Sequence, residues 1–457
     1  MKIILLGAGS VGISLAEQLA HEDNDIIIVD QNDKSLRELQ DRLDVATVCG
    51  HASHPNILKQ AGAEDADLLI AVTDNDEINM LTCQLAYTLF RVPTKICRVR
   101  SKSYLAHEKI FADEAIPIDV LISPETLVTT YVRHLLELPG SLQVVDFAND
   151  LVRMVAVKAY KHGEMIGKAL NQLPKNTPGI DSRVAGIYRR GTSLIPEGDA
   201  IIEENDEVFF IAATEHIPPI MAKLRGQDKP YHRVFIAGGS HIGSSLAQAI
   251  ESNYQVKIID KSLECCEQLS RSLHHAIVLH GNPGDRSLLL AEDIDYCDVF
   301  CALTDDDEDN IMSALLAKRL GAKKVICLIS NIAYADLMQG GDIDITISPQ
   351  QATIGSVLKH VRSADMANIY SLRRGAAEAI EVIAHGDKDT SQVVGRRLGA
   401  INLPSGVTFG ALVRDNEVII AHSNVEVKTG DHVILFVLDK RHIRAIEKLF
   451  HVGFTFI

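Results

Sequence analysis

Short apolar runs alternate with amphipathic stretches along the first half of the chain. The runs predict strands over 2–6, 26–30, 45–49, 68–72 and 95–99. Between them, apolar residues at helical spacing predict helices over 11–21, 34–43, 55–61 and 77–90. The strand runs are almost entirely apolar, which is typical of strands covered on both faces. This alternation of strands and helices predicts a parallel, doubly wound sheet.

The pattern changes after a helix predicted over 124–138, which ends at a Pro-Gly pair. Short alternating strands follow, and then the first pattern starts again and runs to a helix predicted over 349–361. The predicted fold class is therefore α/β. It has two doubly wound parallel-sheet (Rossmann-type) domains, each followed by a small mixed β-rich α+β domain. The large domains are placed at 1–140 and 231–363, and the small ones at 141–227 and 367–457.

The two halves share sequence as well as pattern. GAGSVG begins at Gly7, and GGSHIG begins at Gly238, 231 residues later. ADLLIAVTDNDEINM (66–80) returns as CDVFCALTDDDEDNI (297–311). A duplicated nucleotide-binding half provides two ligand sites in one chain, which suits a sensor better than a single turnover site.

Composition narrows the class of protein. With 457 residues, 46% apolar and 23% charged, the chain has ordinary globular composition, and no window approaches the roughly 18 to 20 apolar residues of a membrane span. The first apolar run leads directly into glycines, so a signal peptide is not expected. The net charge of −16 argues against nucleic acid and against anionic lipid as partners. A cytosolic protein is predicted, with any membrane role passing through a protein partner.

Eight cysteines are present, and no CxxC pair occurs. Six of them sit in or beside apolar stretches and are predicted to be reduced, buried thiols: Cys49, Cys83, Cys97, Cys297, Cys301 and Cys327. His51 and His54 have a possible metal spacing, but no further ligand cluster lies near them in the sequence. No metal site is predicted.

The first glycine-rich loop has a strong nucleotide-binding context. It follows a strand, opens a helix, and has Asp30 at the end of the next strand, 23 residues after Gly7. Gly7 would permit the tight turn, Gly9 would let a pyrophosphate approach the backbone, and Gly12 would let helix and strand pack closely. Asp30 could accept both ribose hydroxyls and would repel a 2′-phosphate, which favours NAD(H) over NADP(H). The alternative is that the glycines serve packing alone.

The second loop departs from this pattern. Ser240 stands where the close-approach glycine is expected, and its Cβ narrows the space for a pyrophosphate, although Asp260 is retained. The second site is therefore predicted to be weaker, to hold its nucleotide in a shifted pose, or to prefer a mononucleotide.

Two further segments are assigned to the same crevices. Thr73 and Asp74 end the fourth strand, and Thr304 and Asp305 repeat them. Ligands of open parallel sheets bind at the carboxyl ends of the strands, so these residues are expected beside the loops. The competing interpretation is that they start the following helices.

Arg98 and Arg100 alternate on the predicted fifth strand and could neutralise phosphates. Their counterparts in the second half are Leu328 and Ser330. The first site is therefore predicted to take the tighter or more phosphorylated ligand. The alternative is an ion pair with a neighbouring acid.

These residues resemble the TrkA family, the regulatory subunits of Trk-type potassium uptake systems. The motifs that carry the resemblance are GAGSVG, GHASHP, VTDNDEINM, ISPQQAT and SLRRGAAEAIE, and it covers essentially the whole chain. It implies NAD(H) binding, with ATP and ADP as gating nucleotides. It also implies a peripheral protein on the cytoplasmic side of the inner membrane, docked on a potassium-translocating subunit, and a homo-oligomer (dimer or tetramer ring).

The candidate cofactor-binding residues follow from the motifs and the resemblance together. In the first half they are Gly7, Ala8, Gly9, Ser10, Val11, Gly12, Asp30, Thr73, Asp74, Arg98 and Arg100. In the second half they are Gly238, Gly239, Ser240, His241, Ile242, Gly243, Asp260, Thr304 and Asp305. No catalytic residue is predicted, because a small β-rich unit follows each nucleotide unit where a dehydrogenase would need a substrate domain. A soluble NAD-dependent oxidoreductase remains the alternative.

Overall fold

The computed structural model divides the chain into two compact units. One comprises Met1–Leu127 with Pro349–Val361, and the other comprises Val128–Ser348 with Arg362–Ile457. The residues that the structure describes are 1–20, 24–112, 114–160, 166–170, 181–196, 198–225, 229–338, 341–361, 366–373 and 376–452. His21, which ends the first predicted helix, and the predicted domain boundaries at 227 and 363 lie outside them.

The first unit is built on a parallel sheet of six strands in the order β3-β2-β1-β4-β5-β6. The strands are β1 (Lys2–Leu6), β2 (Asp25–Asp30), β3 (Ala46–Cys49), β4 (Leu68–Ala71), β5 (Thr94–Arg98) and β6 (Val120–Ile122). The helices are α1 (Ser10–Ala20), α2 (Asp33–Gln40), α3 (Pro55–Gln60), α4 (Asp76–Leu85), α5 (Lys102–Leu105) and the start of α6 (Pro124–Glu137). The predicted doubly wound sheet is confirmed.

Both faces of this sheet are covered, which explains the continuous apolar strands. Ile3 and Leu5 of β1 pack with α1 on one face, whereas Ile4 and Leu6 pack with α3 and α4 on the other. The helix that follows the second parallel sheet in the chain (Pro349–Val361) also buries its apolar side, including Val357, in the core on the α1 face.

The second unit contains a parallel sheet with the same strand order as the first. Its strands are β12 (Arg233–Ala237), β13 (Gln255–Asp260), β14 (Ile277–His280), β15 (Val299–Ala302), β16 (Lys324–Leu328) and β17 (Ile345–Ile347). Its helices are α8 (His241–Ile250), α9 (Leu263–Ser272), α10 (Arg286–Ala291), α11 (Asp307–Leu320) and α12 (Ile332–Leu337), and the later residues of α6 pack in its core. The helix at Pro349–Val361 is α13.

Two antiparallel sheets of five strands complete the second unit and share one topology. The first consists of β7 (Ser141–Phe147), β8 (Val152–Lys158), β9 (Ser182–Arg189), β10 (Thr192–Leu194) and β11 (Glu207–Ala213), followed by α7 (Ile217–Arg225). The second consists of β18 (Met366–Leu372), β19 (Ala377–Ile383), β20 (Val407–Arg414), β21 (Glu417–Ile420) and β22 (His432–Val437), followed by α14 (Ile443–Phe450). Residues of both sheets form one buried cluster, in which the rings of Phe209 and Phe436 lie 5.6 Å apart.

The predicted fold class is confirmed, and the boundaries of the four domains stay a prediction. The helix predicted over 77–90 differs in detail: α4 ends at Leu85, and a π-helical turn, Ala86–Phe90, completes the segment. The prediction that Cys49 is buried is wrong. Cys49 ends β3, which is the edge strand of its sheet, so one side of it is left uncovered.

Among the described helices, none is both long enough and apolar enough to cross a lipid bilayer.

The end of α8 is tied to the segment before β14 by one buried carboxylate. Glu251 accepts backbone hydrogen bonds from His274, His275 and Ala276 at 2.9, 2.8 and 3.0 Å. Burial alone would raise the pKa of Glu251, but these backbone hydrogen bonds and the nearby His274 lower it below its ordinary value of 4.5. The ionised form therefore stabilises the folded second unit.

We expect Glu251→Gln to destabilise the second unit by about 1–2 kcal/mol at pH 7, because a neutral amide oxygen is a weaker acceptor for three donors. The folded pKa lies below the unfolded value, so the contribution is complete above about pH 4.5 and is lost as the pH falls through the folded pKa. The melting temperature should fall more between pH 7 and pH 3.5 in the wild type than in the variant. The control is Glu267→Gln, an exposed carboxylate paired only loosely with Arg271. If the melting temperatures of wild type and Glu251→Gln changed with pH to the same extent, this account would be refuted.

Candidate functional site

The first crevice, formed by the loop 7–12 with Asp30, Thr73 and Arg98, lies where the strand order reverses. β1 and β4 are neighbours in the sheet, and their following helices lie on opposite faces. Gly7 follows β1 with a φ of +103°, and a Cβ on it would lie 3.2 Å from the backbone of Thr73. The carboxyl ends of the strands therefore open a crevice at the position where ligands of such sheets bind.

Gly12 is required by packing. A Cβ on Gly12 would lie 1.8 Å from the carbonyl oxygen of Gly7, so any side chain would push α1 away from β1. Gly9 is different, because it is exposed and a Cβ on it would meet no atom within 4 Å. Nothing in the described fold requires glycine at position 9, which leaves its bare backbone facing the crevice at the start of α1.

The other residues of the loop contribute backbone groups. Ala8 and Val11 are buried, so their side chains belong to the core, whereas Ser10 is exposed at the first turn of α1. The N–H groups of this turn form the positive end of the helix, an arrangement that favours anions.

Asp30 is held in place by the loop that it faces. Its Oδ2 accepts from the backbone N–H of Ala8 at 2.6 Å, and its Oδ1 accepts from Asn32 at 2.7 Å. Each carboxylate oxygen can accept a further hydrogen bond, so the group is oriented and still able to bind a hydroxyl.

Asn79 is a central residue that the sequence interpretation missed. Its Oδ1 accepts from the N–H and the hydroxyl of Thr73 at 3.0 and 2.6 Å, and its Nδ2 donates to the carbonyls of Thr73 and Arg98, both at 3.0 Å. The side chain is fully buried and ties the carboxyl ends of β4 and β5 together. Asp74 is exposed just beyond Thr73, where Asn75 caps α4 by accepting from Ile78.

Arg98 brings a buried positive charge to the crevice. It is 5% exposed; its Nη2 donates to the carbonyl of Thr73 at 2.9 Å, and its Nε has no hydrogen-bond partner among the described residues. Burial, with a smaller contribution from Arg100, lowers the pKa of Arg98 to about 10, so it remains charged at neutral pH. A buried cation without a full set of partners is suited to receive an anion.

Arg100 does not share the position of Arg98. β5 ends at Arg98, and Arg100 lies beyond the strand with its side chain half-exposed. Its Nε is 3.8 Å from Glu125 Oε1, and its backbone N–H donates to Asp76 at 2.9 Å. The ion-pair interpretation therefore describes Arg100 better than Arg98.

The second crevice, formed by the loop 238–243 with Asp260, Thr304 and Asp305, repeats the backbone arrangement. Gly238 has a φ of +100°, and a Cβ on Gly243 would lie 1.9 Å from the Gly238 carbonyl oxygen. Asp260 accepts from the backbone of Gly239 and Ser262 at 2.6 and 2.7 Å. Asn310 makes the same four hydrogen bonds as Asn79, to Thr304 and to the Leu328 carbonyl.

The side chains of the second crevice differ. Ser240 Oγ donates to Asp305 Oδ1 at 3.3 Å, at the position that Gly9 leaves bare in the first crevice. Leu328, which is buried, replaces Arg98. His241 is exposed at the start of α8, and Ile242 is half-buried behind it.

His51 and His54 are placed outside both sets of residues. Their rings stack with centroids 5.0 Å apart, and Ser53 Oγ lies 2.7 Å from His51 Nδ1. The described part of the chain holds no group of three or more His, Cys, Asp or Glu side chains arranged to bind a metal ion.

Comparisons with known proteins agree with this duplicated architecture. The model of the TrkA-N domain matches residues 3–124 and 234–349, and the model of the TrkA-C domain matches residues 154–225 and 387–451. The chain belongs to the TrkA family. Proteins named Trk system potassium uptake protein TrkA are 59% identical in Halomonas elongata (100% of both chains), 55% in Vibrio alginolyticus (98% of both) and 49% in Haemophilus influenzae (100% of both).

Solved structures share the fold at low sequence identity. The GsuK RCK domain matches with a TM-score of 0.60 and 15% identity over 98% of this chain and 94% of that one. The GsuK channel bound to NAD matches with a TM-score of 0.61 and 14% identity over 98% and 78%. The names of the relatives describe potassium uptake and no enzymatic activity, in agreement with the prediction that the chain is not an enzyme.

The glycines allow folding and ligand access to be tested separately. We expect Gly12→Ala to destabilise the first unit by about 1–3 kcal/mol, because the new Cβ collides with the Gly7 carbonyl. Gly9→Ala should change stability by less than about 0.5 kcal/mol, since its Cβ meets no neighbour. Thermal unfolding of both variants checks this, and an equal loss in the two would contradict the assignment of Gly9 to a free surface.

Proposed function

We propose that this chain is a nucleotide-binding regulatory subunit that controls a potassium-translocating membrane protein. Membership of the TrkA family supports the potassium link, since the relatives are named as potassium uptake proteins. The protein would act as a peripheral subunit on the cytoplasmic side of the inner membrane and as a homo-oligomer. The four-domain division at 1–140, 141–227, 231–363 and 367–457 forms part of this proposal.

The first crevice is the observation that carries the nucleotide assignment. It combines the bare backbone of Gly9 at the start of α1, the oriented carboxylate of Asp30, and the buried guanidinium of Arg98. The helix start and Arg98 would bind phosphates, and Asp30 would bind the ribose. These three groups match the charged and polar parts of an adenine nucleotide.

NAD(H) is the proposed ligand of the first crevice. The carboxylate of Asp30 favours free ribose hydroxyls and disfavours a 2′-phosphate. The fold neighbour whose name records bound NAD is a channel protein, which is consistent with NAD binding outside enzymes. ATP and ADP are proposed to use the same crevices, since they share the adenosine and diphosphate parts.

Regulation then requires that nucleotides bind one conformation of the subunit more tightly than another. Two crevices with the same backbone and different side chains would let two ligands, or one ligand at two concentrations, bias that equilibrium. Nucleotide binding at the loops would shift this equilibrium, and the resulting conformation would control the potassium-translocating partner.

We expect Arg98→Leu to weaken NADH and ATP binding about ten-fold or more, because a charge-assisted hydrogen bond to phosphate is lost. The second half has leucine at this position. Leu328 is buried and its carbonyl accepts from Asn310, as the Arg98 carbonyl accepts from Asn79, so the fold should accept leucine here. Isothermal titration of the full chain measures the affinity.

The matched control for this test is Arg133→Leu, which removes the same charge from an exposed position on α6. Unchanged affinity in Arg98→Leu, or an equal loss in the control, would remove the phosphate role from Arg98. Steady oxidation of NADH with hydroxy or keto compounds would instead favour the oxidoreductase alternative.

The partner is tested in cells that depend on Trk-type uptake. Deleting the chain should abolish nucleotide-dependent potassium uptake, and Gly9→Val should reduce the nucleotide response while the protein remains present in membrane fractions. We expect the chain to co-purify with a potassium-translocating membrane protein. Nucleotide-dependent uptake that persists after deletion of the chain, together with no co-purification, would contradict the proposed partner.

A further inference from the structure

Two side-chain contacts lie at the mouth of the second crevice, and one of them crosses it. Lys261 directly follows β13, and Asp309 lies in the first turn of α11, which follows β15. Lys261 Nζ is 2.5 Å from Asp309 Oδ2. Because β12 lies between β13 and β15, this ion pair passes over the carboxyl end of β12, where the glycine loop begins. A second contact, the Ser240–Asp305 hydrogen bond, joins the glycine loop after β12 to the residues that follow β15.

The first crevice has no counterpart of this ion pair. Gln31 occupies the position of Lys261, between the strand-end aspartate and the residue that caps the next helix. Ile78 occupies the position of Asp309, since both donate their backbone N–H to the capping side chain of the helix. An amide and an alkyl side chain cannot form an ion pair. Of the two crevices, only the second therefore has this ion pair across its mouth.

The charges around the second crevice show why Lys261 matters. Asp260, Asp305 and Asp309 place three carboxylates beside the loop, and Leu328 supplies no charge where Arg98 stands in the first half. A phosphorylated ligand would meet repulsion there without a nearby cation. Lys261 is such a cation, and its side chain is about half-exposed (48%) and flexible enough to change partners.

We propose that Lys261 is the anion-binding residue of the second crevice. Without ligand, Asp309 holds the ammonium group across the mouth, and a phosphorylated adenine nucleotide replaces Asp309 as its partner. This inference rests on the proposed nucleotide-binding function and adds the ligand class and the regulation of the second crevice. Exposed ion pairs contribute little stability, so Asp309 can give up Lys261 to a ligand phosphate.

The proposal predicts opposite effects for the two partners of one ion pair. Asp309→Asn frees Lys261 and should tighten ADP binding to the second crevice about two- to five-fold, the range expected for release of an exposed pair. Lys261→Gln removes the cation and should weaken ADP binding about three- to ten-fold. Adenosine carries no phosphate, so its affinity should change by less than about two-fold in either variant.

The measurement uses the full chain with Gly9→Val, which blocks the first crevice at a position where a Cβ meets no neighbour. Calorimetry with ADP and with adenosine gives the affinities. Hydrogen exchange of the peptide spanning 238–246 confirms that the signal comes from the second crevice. Glu267→Gln, which removes one exposed negative charge from α9, is the matched control for Asp309→Asn.

Each other outcome overturns the inference. If Lys261→Gln and Asp309→Asn both tighten ADP binding, the ion pair only obstructs the crevice and Lys261 does not bind the phosphate. If ADP affinity in both variants equals that of the chain carrying Gly9→Val alone, or if no variant binds ADP, the second crevice does not use Lys261 for phosphate. Nucleotide binding by the chain with Gly9 intact is a separate measurement, so the proposed function can hold when this inference fails.

Discussion

The contact between the first and third glycines of each loop is the constraint on which both crevices depend. With the carbonyl of Gly7 directed at the backbone of Gly12, α1 starts only four residues after β1 ends. The helix therefore points its positive end at the switch point of the sheet. Gly238 and Gly243 meet the same constraint in the second unit. Both loops consequently have a backbone arrangement that could bind an anion, independently of the side chains in the crevices.

The sequence predicted the strands and most helices well, because buried parallel strands are apolar on both faces. It did not reveal Asn79, since a polar residue within a helix suggests a solvent-facing position, whereas this amide is buried and makes four hydrogen bonds. The repeat at Asn310 was the available signal. The exposure of Cys49 depends on β3 being an edge strand, and hydrophobic periodicity does not determine strand order. The contact of Arg100 with Glu125 required the position of α6.

The duplication conserves polar contacts that hold the backbone and varies those that face the crevice. Asp30 and Asp260 each bind their own loop, and Asn79 and Asn310 each join two strand ends. In contrast, Gly9 is replaced by a serine that is hydrogen-bonded to a carboxylate. On the proposed function, this division allows the two crevices to diverge in ligand preference while both remain folded, because each keeps the aspartate and asparagine contacts that hold its backbone.

The two crevices also differ in how their cations are held, and the difference has a physical consequence. Arg98 is buried against the Thr73 carbonyl, so its charge is already held near the strand ends before a ligand binds. An anion that binds there gains from a cation already removed from water. Lys261 is solvated and already paired, so a ligand must compete with Asp309 and with water for it. We therefore expect the first crevice to be filled at lower nucleotide concentrations, with the second responding over a higher range.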